Sequence, residues 1–95
     1  MRTTERAIDW TSAFKRDYKR EKKADRQLEG VLDPVLTSLV NDMPLAEKHV
    51  DHAMSGNWKD YRDCHIKPDL VLIYQKPDKD SLRLVRLGSH SELGI

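Results

Sequence analysis

The sequence predicts an α+β fold in two layers, with two N-terminal helices packed on a small, mainly antiparallel sheet. Two observations carry this prediction. Leu28, Val31, Leu32, Val35, Leu36, Leu39 and Val40 recur at steps of three and four, the spacing of one helix face. From Tyr61 onward the period changes to two, in three runs separated by turns that contain Pro and Asp. Ninety-five residues accommodate one domain, 1–95, and not two.

In chain order, Thr4–Trp10 contains a short, weak strand whose apolar members are Ala7, Ile8 and Trp10. Thr11 and Ser12 offer N-cap oxygens for a first helix running to about Lys23, with Phe14 and Tyr18 on one face. The second helix holds the Leu28–Val40 stripe. Pro34 lacks an amide and disfavours helical geometry at Asp33, so a kink, or a restart capped by Asp33, is expected there. Asn41–Pro44 ends the element. Tyr61–Ile66 follows as a strand with Cys64 and Ile66 on one face and Tyr61, Asp63 and His65 on the other. Lys67-Pro68-Asp69 turns the chain into Leu70–Tyr74, which is apolar on both faces and therefore central. Pro77–Asp80 is a second turn, and Ser81–Leu87 completes a three-stranded meander.

Composition narrows the function classes. The longest apolar run, Leu70–Tyr74, is far short of the about 20 residues a membrane span needs. No apolar stretch follows Met1-Arg2, so a secretory leader is not expected. A single cysteine, Cys64, excludes an internal disulfide framework and fits a reducing cytoplasm. Its place on the apolar face of a strand marks it as a small core residue. The net charge of +1 is uninformative, but Lys15–Arg26 sets seven positive charges against three negative ones. Such a stripe is either a solvated helix face or a phosphate-contacting surface.

The candidate chemistry lies in the histidines, His49, His52, His65 and His90. Imidazole is the side chain suited to acid–base work near neutral pH. His65 is on the polar face of a half-buried strand, His90 follows Gly88-Ser89 where the last strand hands over to a loop, and His52 opens a turn-rich loop. Short HxxxH or CxxC spacings are missing, as are clustered acidic motifs, so neither metal nor cofactor is expected.

Residues 50–74, VDHAMSGNWKDYRDCHIKPDLVLIY, closely resemble the YafQ branch of the RelE-like toxins, whose pattern there is DHxLxGxWxxxRDxHxxPDxxLIY. Arg86-Leu87-Gly88-Ser89-His90-Ser91-Glu92-Leu93 matches the closing RxGxHxxL of the same family. The resemblance implies a ribosome-dependent mRNA endoribonuclease that inhibits translation, the toxin half of a type II toxin–antitoxin pair. Its implied partners are a cognate antitoxin of ribbon-helix-helix type, the ribosome and mRNA, with operator DNA reached only through the antitoxin and no membrane. It further implies metal-free attack of a ribose 2′-oxygen on the adjacent phosphate, with His52, His65, Asp69 and His90 as the catalytic set. By the same likeness Arg86 falls on the arginine ahead of the last histidine. Leu70 stands where relatives can carry Trp, and Leu93-Gly94-Ile95 where some carry an aromatic.

The chemistry of the residues themselves is compatible with that set. His90 is the expected general acid, and His52 or His65 the base or a phosphate contact. Asp69 would orient a histidine, and Arg86 would stabilise transition-state charge. Trp58 would stack on a base and joins Lys59, Arg62 and Arg86 as substrate-binding candidates. Lys15, Lys19, Arg20 and Lys23 of the first helix are the ribosome-binding candidates. The alternative is a catalytically weak binding module that acts through antitoxin, operator complex or ribosome.

Overall fold

The computed structural model of the chain describes residues 5–95, so Thr4 of the predicted first strand lies outside the described residues. The elements are β1 (Ala7–Trp10), α1 (Ser12–Ala24), α2 (Leu28–Val40), β2 (His52–Ala53), β3 (Arg62–Lys67), β4 (Leu70–Gln75), β5 (Ser81–Gly88) and α3 (His90–Leu93). They build one sheet in the order β1-β5-β4-β3-β2, antiparallel except where β1 runs parallel to β5. The predicted α+β class holds, and β3 to β5 lie within one residue of their expected bounds. Two elements expected as loop are ordered instead. His52–Ala53 pairs with Arg62–Asp63 as an edge strand, and His90–Leu93 is a helical turn.

The helices follow from local chemistry. Thr11 caps α1, its hydroxyl oxygen accepting the Phe14 amide at 3.0 Å. Phe14 and Tyr18 stack with ring centroids 6.2 Å apart, as their spacing predicts. In α2, Leu28, Leu32, Val35, Leu39 and Val40 are buried. The restart expected at Asp33 does not occur: one helix runs from Leu28 to Val40 with Pro34 inside it and Gln27 as its N-cap. Pro34 deprives the Gly30 carbonyl of a donor, but both residues are exposed, so the loss falls on the solvent side of the helix.

The sheet has two unlike faces. Leu70, Leu72, Tyr74, Leu82, Leu84, Leu87, Cys64 and Ile66 meet the helices in the main core. Val71 and Ile73 point the other way and are covered by Leu93 with Met54, Trp58, Tyr61 and Val85. Register shifts keep this sorting consistent. Tyr74 pairs with Leu84 but Ile73 pairs with Arg86, so Val85 is an extra residue. Leu84 and Leu87, three apart, can then both face the helices.

β1 covers only part of the edge of β5, from Ser81 to Leu84. Its own side chains are exposed, so backbone pairing rather than burial holds it. Beyond Leu84, side chains from the α1 region take over. The Thr11 hydroxyl donates to the Val85 carbonyl at 2.7 Å. Asp17 Oδ2 accepts the Leu87 amide at 3.1 Å, and Arg20 Nη2 donates to the Leu87 carbonyl at 3.0 Å. The exposed ladder is thereby satisfied without a strand.

Candidate active site

Strand register assembles the site on the face away from α1 and α2. His52 pairs with Asp63, Asp63 with Ile73 and Ile73 with Arg86, one rung across four strands. The next rung on that face runs His65, Val71, Gly88. Two residues past Gly88 stands His90, the first residue of α3. Ser89 starts that turn with a capping box, accepting the Glu92 amide (3.1 Å) and giving its own amide to Glu92 Oε1 (2.9 Å).

His52, His65 and His90 line one open cleft of about 470 Å³, bounded by the loop from Ala53 to Trp58 and by Gly94 and Ile95. The rings of His65 and His90 lie 5.1 Å apart and nearly perpendicular. His90, whose side chain is 41% exposed, places Nδ1 3.0 Å from Asp69 Oδ1. A carboxylate only accepts, so Nδ1 carries the proton and Nε2 is the free ring nitrogen. Asp69 sits in the β3–β4 turn. The hydrogen bonds from the His90 ring and amide hold its carboxyl below the usual range.

A second Asp–His pair faces the first. His52 Nδ1 is 2.9 Å from the Val50 carbonyl and 3.0 Å from Asp63 Oδ1. Both neighbours are acceptors, so Nδ1 is protonated here too and Nε2 is free. Asp63 has a side chain only 7% exposed, and its Oδ1 makes no well-formed hydrogen bond among the described residues. Sequence reasoning assigned no role to Asp63. Its alternation with His65 put it on the right face, but nothing announced its burial beside His52. His49 is set apart, its Nδ1 2.7 Å from the His65 carbonyl.

The other candidates are dispersed. Trp58 lines the cleft and packs edge-on against Tyr61 at 5.4 Å. Lys59 is exposed and outside the cleft lining. Arg62 turns to Asp51 (3.3 Å) and the Tyr74 hydroxyl (3.4 Å), on the helix side of the sheet. Arg86 binds the buried Asp17 through Nε at 2.6 Å and Nη2 at 3.3 Å. Asp17, counted in the sequence only as one of the stripe's few negative charges, is fully buried. Lys15, Lys19 and Lys23 make no ion pair or hydrogen bond among the described residues, whereas Arg20 is engaged with Asp17, Glu21 and Glu92. Cys64 is buried as expected, and burial pushes its thiol up to about 12. Leu70 belongs to the helix-side core rather than the cleft.

Fold and site together define a small α+β protein with an acid–base cleft of imidazoles and carboxylates on the open face of its sheet. The family described as bacterial toxin of type II toxin–antitoxin system, YafQ, matches residues 6–94, and the chain belongs to it. It is 37% identical over 90 residues to the mRNA interferase toxin YafQ of Escherichia coli K12, covering 94% of this chain and 96% of that protein. The toxin in the E. coli DinJ–YafQ complex superposes with a TM-score of 0.82 at 36% identity, over 94% of this chain and 98% of that one. A copper-bound mutant toxin from Helicobacter pylori gives 0.86 at 40% identity, over 92% and 97%. Among the described residues here, no three His, Cys, Asp or Glu side chains converge as a metal site would require. No helix among them is long and apolar enough to cross a membrane.

Proposed function

We propose that this protein is a ribosome-dependent mRNA endoribonuclease that cleaves without a metal and is neutralised by a cognate antitoxin, in keeping with the E. coli complex. The observation that carries the reading is the pair of Asp–His couples, His52–Asp63 and His90–Asp69, facing one cleft with His65 beside His90.

Cleavage by transesterification needs a base for the 2′-hydroxyl, an acid for the leaving 5′-oxygen and cations for the phosphorane. His52 is assigned as the base, because Nδ1–H between two acceptors leaves the Nε2 lone pair free. The 2′-oxygen attacks phosphorus, the bond from phosphorus to the 5′-oxygen breaks, and protonated His90 gives its Nε2 proton to that oxygen. The products are a 2′,3′-cyclic phosphate and a 5′-hydroxyl. Asp69 positions the His90 imidazole through its hydrogen bond, and Asp63, 3.0 Å from His52 Nδ1, supplies a negative charge beside the base. His65 contacts the phosphate, while Arg86 is paired with the buried Asp17 outside the cleft lining. Trp58 offers an aromatic surface to a base. A ribbon-helix-helix antitoxin and a cytoplasmic location complete the reading.

The test compares the native chain with His90→Ala on programmed ribosomes. Loss of the general acid is expected to slow cleavage by on the order of 10²–10⁴, with folding and antitoxin binding retained because the side chain is partly exposed. A variant within tenfold of native overturns the assignment.

A further inference from the structure

Arg20 is tied to groups that lead from α1 to the cleft. Its Nη1 is 3.1 Å from the buried Asp17, its Nη2 donates to the Leu87 carbonyl at 3.0 Å, and its Nε lies 3.0 Å from Glu21 and 3.4 Å from Glu92 Oε2. Leu87 is on the stretch of β5 that β1 leaves uncovered. The other oxygen of Glu92 receives the Ser89 amide and so closes the capping box of α3. A four-residue helix cannot sustain itself by local hydrogen bonding, so its place depends on what fastens it. The first residue of α3 is His90.

Gly88 makes this approach possible. A Cβ there would stand 3.0 Å from Arg20 Nη2 and 3.2 Å from Glu92 Oε1. The glycine of the terminal motif therefore leaves room for the ionic bridge, not for an unusual backbone angle.

We propose that Arg20, seated on Asp17 and packed over Gly88, is a positioning residue that fixes the first turn of α3 and with it the stance of His90 in the cleft. Its functional consequence rests on the reading of His90 as general acid. The proposal separates Arg20 from Lys15, Lys19 and Lys23, with which the charge pattern groups it. A ribosome contact and a positioning residue predict opposite kinetics. Losing the first raises KM at constant kcat, whereas losing the second lowers kcat at constant KM.

The experiment uses Arg20→Gln and Gly88→Ala in the full chain. It reads the ¹H–¹³C signals of the His90 ring, the melting temperature, and kcat and KM on programmed ribosomes. Both variants are expected to fold, to move the His90 signals away from native, and to lower kcat by on the order of tenfold to a hundredfold with KM within about twofold. Native His90 signals with raised KM and native kcat overturn the proposal and make Arg20 a phosphate contact. A lowered melting temperature with native signals and native kcat overturns it as well, leaving Arg20 a brace for the fold. If Arg20→Gln fails to fold, Arg20→Lys, which keeps the charge and loses the forked contact with Asp17 and Leu87, is read in its place, because a Cβ at Gly88 also meets Leu93 of α3. Should the native chain not cleave, the proposed function fails, while the His90 signals still decide the positioning.

Discussion

At Asp17 a carboxylate without exposed surface is held against Arg86, Arg20 and the Leu87 amide. Burial by itself would raise its pKa. The Arg86 hydrogen bond, the Leu87 amide and the two guanidinium charges outweigh burial and hold the group below its ordinary 3.8. A carboxyl depressed in the folded state contributes stability that is present above its unfolded value and lost as pH falls through the folded one. The melting temperature is thus expected to drop as pH is taken below about 4. Asp17→Asn, which strands Arg86, is expected to cost about 3 kcal/mol at pH 7 and to flatten that acid limb. The flattening is partial, because Asp25, Asp42, Asp69, Asp78 and Glu92 are depressed too. Melting curves of both chains between pH 7 and 3 check this, and parallel acid limbs contradict it. A buried acid of this kind is illegible in sequence, since its partners Arg86 and Leu87 lie 69 and 70 positions away. Asp63 was hidden for the same reason, because a carboxylate's default place is at the surface.

Among the elements, those with a long period were the readable ones. α2 and the strands of the meander carry five or more core positions or an alternating face, and their bounds followed from that pattern. β2 has two residues and could show no period, while β1, whose side chains are all exposed, was read only as a short, weak strand. α3 was expected as loop, and the signal that could have found it, the Ser-x-x-Glu spacing of Ser89 and Glu92, went unread. α1 divides its charges more sharply than its composition does. Lys22 pairs with Glu29, Arg20 with Asp17, and Asp25 with Lys67 of β3, while Lys15, Lys19 and Lys23 stay uncommitted among the described residues. If these three meet ribosomal phosphates, replacing all of them with Gln weakens ribosome binding and reduces the slope of log K against log salt by about 2–3. Cleavage at saturating toxin stays within about twofold of native, because the helix carries no cleft residue. Binding titrations from low to moderate salt decide it, and an unchanged affinity and slope remove the ribosome from this surface.

Across the whole molecule the sheet acts as a partition. Its helix side holds the larger core, and its other side bears a smaller apolar cluster with the histidine cleft beside it. Residues with alternating faces are what let one strand serve both, as when Cys64 packs inward while Asp63 and His65 face the cleft. The four catalytic candidates named from the sequence, His52, His65, Asp69 and His90, do come together. Arg62 alternates onto the helix-side face with Cys64, Lys59 lies in the loop ahead of β3, and Arg86 turns to Asp17, so none of the three lines the cleft. If imidazoles alone carry the acid–base chemistry on RNA, the ends left by cleavage must record it. mRNA cut by the native chain on programmed ribosomes, with EDTA at a level that leaves the ribosomes intact, is expected to carry a 2′,3′-cyclic phosphate upstream and a 5′-hydroxyl downstream. A 3′-hydroxyl with a 5′-phosphate, or activity lost in EDTA and restored by zinc, would contradict it.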